Sequence, residues 1–234
     1  GLSAGTYSVT ATDAGNCSAT TSVTIGEPTA LSVTETHADV TTTGGSDGSI
    51  DVSVSGGTSP YSYLWNDGAT TEDRSNLSPG TYTVTLTSSN PCGPSVFTKQ
   101  VCIAAPPVPS FTIDNAIGCA PLNVIATNTS VITNSCSQLT YLWSVTYAAG
   151  FCGTIPAWSF TNATNANSVN PSFQFTGPGT YTITLAVTNP CGTFTTTRIV
   201  TVKKPPTVVI NAITNICAGG TINPSAVVTN CGTN

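Results

Sequence analysis

Few side chains in this sequence are of types that carry out catalysis, and their spacing does not bring them together. His37 is the single histidine, and it alternates with Glu35 and Asp39 in a polar stretch. A general base needs an orienting partner and a reacting group within reach, and no serine or cysteine motif accompanies His37. We therefore expect His37 to be a solvated surface residue and the protein to be non-catalytic.

The acidic residues stand mostly in predicted turns. Asp47 belongs to "SDGSID", and "NDGATTED" contains Asp67, Glu72 and Asp73. Glycoside hydrolysis needs two opposed carboxyl groups, and neither segment has the spacing of an EF-hand calcium loop. Because Asp-Gly is first of all a turn signal, we predict neither a metal site nor a cofactor.

The charge pattern argues against nucleic acid as a partner. Residues 1–114 contain all ten acidic groups and two basic ones, a net charge of −8, whereas residues 115–234 contain three basic groups and no acid. Nucleic-acid binding requires a basic patch or stripe, which this distribution lacks. Membrane insertion is not expected either, because the sequence has no run of 18 apolar residues.

One phrase occurs three times and each time ends near a cysteine. The copies are "AGTYSVTATDAGNCS" from Ala4, "PGTYTVTLTSSNPCG" from Pro79 and "PGTYTITLAVTNPCG" from Pro178. The Gly of "GTY" precedes the cysteine by 12 residues in every copy, but the phrase recurs after 75 and then 99 residues. A constant internal spacing with a variable period indicates whole domains in tandem rather than a solenoid.

The phrase itself predicts a β-strand with one apolar and one Thr-rich face. Tyr82 and Tyr181 each follow a Pro-Gly turn, which is the tyrosine-corner pattern at strand F of an immunoglobulin-like sandwich. Upstream, Trp65 and Trp143 each stand at the end of a "YLW" segment, as the core tryptophan of strand C does. We predict an all-β fold of tandem immunoglobulin-like or PKD-like Greek-key β-sandwiches joined by Pro-rich linkers.

Pro-rich joints at "EPT", "APPVP" and "KKPP" divide the sequence into four parts. Residues 28–104 and 105–204 each contain a full set of predicted strands. Residues 1–27 contain only predicted strands F and G, and residues 205–234 only predicted strands A and B. We expect stiff joints of this kind to hold successive domains in a row.

Nine cysteines without a CxxC motif or a histidine cluster favour disulfide bonds in an oxidising, extracellular setting. In a Greek-key sandwich the B–C and F–G loops share one end, which predicts a bridge between Cys136 and Cys191. The A–B turn and the loop after strand C share the other end, which predicts a bridge between Cys119 and Cys152. The partners of five cysteines stay open: Cys17, Cys92, Cys102, Cys217 and Cys231.

The segment from Gly44 to Leu86, "GGSDGSIDVSVSGGTSPYSYLWNDGATTEDRSNLSPGTYTVTL", resembles the repeat of the giant gliding-motility adhesins of Bacteroidetes, the SprB type. It departs from that repeat before Gly44, where Thr42 or Thr43 stands in place of a common cysteine. Residues 105–204 resemble a PKD domain but lack the acidic "GDG" turn after Trp143. The resemblance implies a structural stalk or filament segment of a long, secreted, multi-domain adhesin, exported by type IX secretion to the cell surface.

Two other functions stay open. The incomplete ends suggest a self-assembling extracellular filament whose subunits complete each other by strand exchange. PKD-like domains also accompany secreted enzymes that degrade polysaccharides, and an exposed Trp158 is then the candidate glycan contact. A buried Trp158 would instead be a packing residue, which is what we expect. The expected partners are neighbouring modules of the same or identical chains, and surface polysaccharide.

Overall fold

In the computed structural model, residues 1–90, 93–148, 157–210 and 226–229 are described, and every regular element in them is a β-strand. The strands belong to two compact units. The first unit contains Gly1–Ala38 and Asp47–Ile103, and the second contains Asp39–Ser46 and Ala104–Asn234. The all-β prediction is therefore confirmed.

The first unit begins with a hairpin of strands β1 (Gly5–Thr12) and β2 (Ser18–Ile25), paired antiparallel. Its turn is held by Asp13, whose Oδ1 accepts hydrogen bonds of 2.9 Å from the amides of Gly15 and Cys17. One face is a ladder of hydroxyls, with Oγ1–Oγ1 distances of 3.1 Å for Thr6–Thr24 and 2.8 Å for Thr10–Thr20. The other face is apolar and exposed.

A sandwich of two three-stranded sheets follows in the first unit. One sheet has the order β3-β4-β6 and the other β5-β7-β8, which corresponds to strands A-B-E and C-F-G of an immunoglobulin-like domain. The strands are β3 (Ser32–Ala38), β4 (Gly48–Ser55), β5 (Tyr61–Trp65), β6 (Arg74–Leu77), β7 (Gly80–Asn90) and β8 (Gly93–Ile103).

The alternation of each strand puts its apolar residues between these two sheets. Ile50 and Val52 on β4, and Val84 and Leu86 on β7, are buried, while the intervening residues are polar and more exposed. Hydrophobic burial at alternate positions is what sets the register of such a sandwich.

The second unit contains a sandwich of two four-stranded sheets, of order β13-β14-β11-β9 and β10-β16-β15-β12. The strands are β9 (Phe111–Ile113), β10 (Ile117–Cys119), β11 (Leu122–Asn128), β12 (Thr140–Ala148), β13 (Trp158–Thr161), β14 (Ser172–Phe175), β15 (Gly179–Asn189) and β16 (Gly192–Lys203). β10 pairs with β16 in parallel, whereas β9 pairs with β11 in the other sheet. The first strand of the sandwich is thus divided between both sheets.

Aromatic rings dominate the core of the second sandwich. Phe111 and Phe173 come from one sheet, and Trp143 and Tyr181 from the other. The Phe111 and Trp143 rings meet edge to face with centroids 4.8 Å apart, and Phe175 lies 4.7 Å from Tyr181. Contacts between rings in these orientations stabilise a core beyond simple area burial.

Two further features complete the described chain. Strands β17 (Thr207–Ile210) and β18 (Ala226–Thr229) pair antiparallel in a two-stranded sheet. The Pro-rich segment 104–107 is buried in the second unit. There the Ala105 amide donates to the carbonyl of Asn134 at 3.1 Å, and the Ala105 carbonyl accepts from Asn189 Nδ2 at 2.7 Å.

Candidate functional site

The repeated phrase forms the same hydrogen bond three times. The hydroxyl of Tyr7 donates to the carbonyl of Ser3 at 2.9 Å, that of Tyr82 to Ser78 at 2.9 Å, and that of Tyr181 to Gly177 at 2.8 Å. In each case the tyrosine bonds to a carbonyl four residues upstream and closes the turn that leads into the strand. This is the tyrosine corner of immunoglobulin-like domains, and it occurs in both sandwiches and in the N-terminal hairpin.

The strand C tryptophans lie at equivalent places in the two sandwiches. Trp65 and Trp143 are each 2% exposed. Trp65 Nε1 donates to the carbonyl of Thr71, and Trp143 Nε1 to the carbonyl of Ser168, both at 2.8 Å. Each indole is therefore buried with its polar atom satisfied, and neither offers a face to a ligand.

The acidic turn of the first sandwich is occupied by structural contacts. Asp67 accepts two hydrogen bonds from Arg74, at 2.9 Å and 2.6 Å, and these bonds are the main reason that the pKa of Asp67 is lowered. The Arg74 guanidinium lies 5.3 Å from the centroid of the Trp65 ring. Glu72 accepts a 2.7 Å bond from the Tyr63 hydroxyl, and burial followed by this bond raises the pKa of Tyr63 to about 12.

His37 and its predicted neighbours are divided between two places. His37 Nδ1 lies 3.2 Å from Glu35 Oε2, and Lys99 Nζ lies 3.8 Å from Glu35 Oε1, in the first unit. Asp39 belongs to the second unit, where its Oδ1 accepts a 2.6 Å bond from the Ala104 amide. The alternation of these three residues in the sequence does not produce a catalytic cluster.

Within the described ranges no group of three or more His, Cys, Asp or Glu side chains is placed to hold a metal ion. No helix in that part of the chain is long and apolar enough to cross a membrane.

The cysteines require a correction to the predicted bridges. Cys191 and Cys119 have free thiols, so the predicted bridges Cys136–Cys191 and Cys119–Cys152 are not formed. Cys191 lies in the F–G turn beside Asp39, and burial, followed by that carboxylate, raises the pKa of its thiol. Cys119 is exposed on β10, opposite Lys203. Its predicted partner Cys152 lies outside the described residues.

Cys102 and Cys136 are each disulfide-bonded, and Cys17 has an exposed free thiol. Other cysteines whose partners the sequence left open lie outside the described residues: Cys92, Cys217 and Cys231.

Trp158 is half-buried and packs against the core of the second sandwich. It lies on β13, directly opposite Phe175 on β14. Its ring is 5.3 Å from that of Phe160 and 6.1 Å from that of Phe173, and it packs against the buried cluster of the second sandwich. The ring is therefore engaged in packing, which does not favour the predicted glycan contact.

Sequence reasoning missed a set of polar side chains on the outer face of the β13-β14-β11-β9 sheet. Asn123 on β11 lies directly opposite Gln174 on β14. The alternation of "LNVIATN" indicates that Asn123 and Ile125 face away from the core, but the pairing of the two strands was needed to bring the amides together.

Comparison with known proteins identifies one repeat and one fold. Residues 34–70 match the SprB repeat family. No curated protein matches the chain. Among solved structures, the three N-terminal domains of the bacteriophage RB49 highly immunogenic outer capsid protein, Hoc, share 14% identity with it at a TM-score of 0.50. That match covers 86% of this chain and 79% of the Hoc chain.

An I-band fragment of titin also matches, with 15% identity, a TM-score of 0.42, and coverage of 78% of this chain and 68% of the titin fragment. The Hoc match shows the fold alone. The chain thus contains tandem immunoglobulin-like domains, and its match to the SprB repeat, residues 34–70, includes strands β4 and β5 of the first sandwich.

Proposed function

We propose that this chain is a structural, non-catalytic segment of a long secreted cell-surface adhesin. The observation that carries the proposal is the tyrosine corner, which occurs in both immunoglobulin-like sandwiches and again in the N-terminal hairpin. A chain that repeats one strand and its closing bond, with an SprB match over residues 34–70, is suited to reach and stiffness. We also propose that the chain is divided into four modules or parts of modules, with boundaries after residues 27, 104 and 204.

The finer parts of the proposal rest on the sequence resemblance. We infer that the second sandwich is a PKD-like domain, and that the adhesin is exported by type IX secretion and serves gliding motility. The "GPGTYTITLAVTNPCG" segment supports the PKD-like assignment, and the SprB match at residues 34–70 supports the rest of the inference.

The interior of each sandwich suits a segment that must resist unfolding and proteolysis outside the cell. In the described residues, no buried side-chain nitrogen or oxygen lacks a hydrogen-bond partner, and each such group left unsatisfied would cost about 1–3 kcal/mol of stability. Disulfide bonding of Cys102 and Cys136 restricts the unfolded chain further. These features support a passive, durable role.

An antibody raised against residues 34–70 tests the location. We expect it to label intact cells that produce the protein, and we expect permeabilisation of those cells to add no further label. An antibody against a cytoplasmic protein serves as the control and labels permeabilised cells alone. Labelling that requires permeabilised cells would contradict the proposal.

A second candidate function is self-assembly by strand completion, and the N-terminal hairpin favours it. Val9 is 65% and Val23 62% exposed, and Tyr7 shares their face. In the other two copies of the phrase, on β7 and β15, the corresponding face is buried by a second sheet. We propose that a neighbouring copy contributes strands that cover this face. An unpaired sheet edge can add a strand from another chain through main-chain hydrogen bonds.

The solution mass distinguishes the two functions. Light scattering of residues 1–234 and of residues 28–204 gives a monomer for both if the chain is a passive segment. If only the longer protein forms chains, and Val9→Lys abolishes them, strand completion is the function. Chains formed equally by the shorter protein would contradict completion through the hairpin.

A further inference from the structure

The outer face of the β13-β14-β11-β9 sheet contains a groove of about 350 Å³. Its floor contains Asn123 and Ile125 on β11 and Gln174 on β14. Asp114 and Asn115, which follow β9, line one side, and Thr161 at the end of β13 lines the other. Ligand sites span roughly 300–1,000 Å³, so this groove is of a size for a short stretch of ligand.

Two amides on the floor are held by the sheet and by each other. Gln174 Nε2 donates to Asn123 Oδ1 at 3.1 Å. This bond orients both side chains and leaves Asn123 Nδ2 as a donor and Gln174 Oε1 as an acceptor. Among the described residues, neither of these atoms has a further hydrogen-bond partner.

The side of the groove formed after β9 is fixed in the same way. Asp114 Oδ1 accepts a 2.7 Å bond from the Ile125 amide, which leaves Oδ2 to accept from a ligand. Asn115 Nδ2 donates to the carbonyl of Asn123 at 3.4 Å. Asp114 is also the only acidic residue between Asp73 and the C-terminus, and it lies in this groove.

An aliphatic surface lies between these polar groups. Ile125 is 48% exposed, although β-branched residues of this size usually lie in a core. Polar groups that fix orientation beside an apolar patch are the general composition of a binding site. A ligand that suits this floor therefore needs both hydroxyl groups and an apolar C–H face.

The charges restrict the class of ligand further. A cation is disfavoured because the groove contains one carboxylate, and one of its oxygens is already engaged. An anion is disfavoured because no Arg or Lys lines the groove; Arg198 of the same sandwich lies over the Phe111 ring instead. Saccharide hydroxyls both donate and accept, and a sugar ring presents C–H groups on its face. We propose that this groove binds a neutral saccharide.

Affinity electrophoresis of the full chain tests this proposal, in gels that contain neutral xyloglucan, mannan or laminarin, with anionic alginate as the comparison. We expect at least one neutral polysaccharide to retard the protein. The double variant Asn123→Ala/Gln174→Ala will bind that polysaccharide at least tenfold more weakly. The matched control is Thr184→Ala/Thr197→Ala, a directly opposed pair on the outer face of the other sheet, and it will bind normally.

A second variant keeps the test independent of the amides. Ile125→Thr removes the aliphatic contact at an exposed position and will also weaken binding, with an unchanged thermal midpoint of unfolding. Retardation by alginate alone, no retardation by any neutral polysaccharide, or binding that survives both variants would overturn the proposal. None of these outcomes bears on the surface location, which the antibody experiment tests separately.

Discussion

Replacement of Trp143 by alanine will lower the free energy of unfolding of the second sandwich by about 3–5 kcal/mol, the range for loss of a large core aromatic. Trp143 is 2% exposed, and its ring contacts Phe111 and Phe173 from the opposite sheet. The substitution leaves a cavity between the sheets and also leaves the carbonyl of Ser168 without its 2.8 Å donor. Chemical denaturation of the full chain, followed by circular dichroism, measures the change.

The neighbouring residue provides the matched control. Leu142 lies on the same strand but is 55% exposed, so Leu142→Ala will change the free energy of unfolding by no more than about 0.5 kcal/mol. The transition of the first sandwich serves as an internal reference because it does not contain either residue. Equal effects of the two substitutions would show that Trp143 does not anchor this core.

Tyr181→Phe will destabilise the second sandwich by about 1–3 kcal/mol, which is the cost of leaving buried polar groups unpaired. The Tyr181 hydroxyl donates to the carbonyl of Gly177 at 2.8 Å and accepts from the Ala157 amide at 3.3 Å. The side chain is completely buried, so water cannot readily replace the lost partner. The substitution removes one oxygen and leaves the packing of the ring almost unchanged.

The same substitution at the other sandwich is the control. Tyr82 is only half-buried, and its hydroxyl bonds to the carbonyl of Ser78 near solvent. Tyr82→Phe will cost about 0.5–1.5 kcal/mol, the net value of an ordinary hydrogen bond. Urea denaturation of both variants gives the comparison. A larger loss of unfolding free energy in Tyr82→Phe than in Tyr181→Phe would mean that burial does not determine how much the tyrosine-corner hydrogen bond stabilises each sandwich.

Local patterns predicted the framework of the fold. The alternation in the repeated phrase predicted strands that the structure contains as β7 and β15. Each of these predictions depends on neighbours two residues apart on one strand. The tyrosine corner is equally local, because its two groups are four residues apart.

Side chains whose roles depend on distant segments were not predictable. Asp39 was grouped with His37 by spacing, but its carboxylate accepts from the amide of Ala104, 65 residues away. Trp158 was a candidate glycan contact, but pairing of β13 with β14 placed it against Phe173. The predicted bridges Cys136–Cys191 and Cys119–Cys152 were wrong for the same reason. Two loops can lie at the same end of a sandwich without bringing their cysteine side chains together.

The sequence by itself therefore determined the strand content, the tandem repetition and the core tryptophans, because these follow from alternation and from contacts between near neighbours. Only the tertiary structure decided which thiols are free, where Asp39 bonds, and which amides share a groove. Those outcomes depend on strand order and register. In this chain, strand order is set by the burial of whole sheets rather than by any one segment.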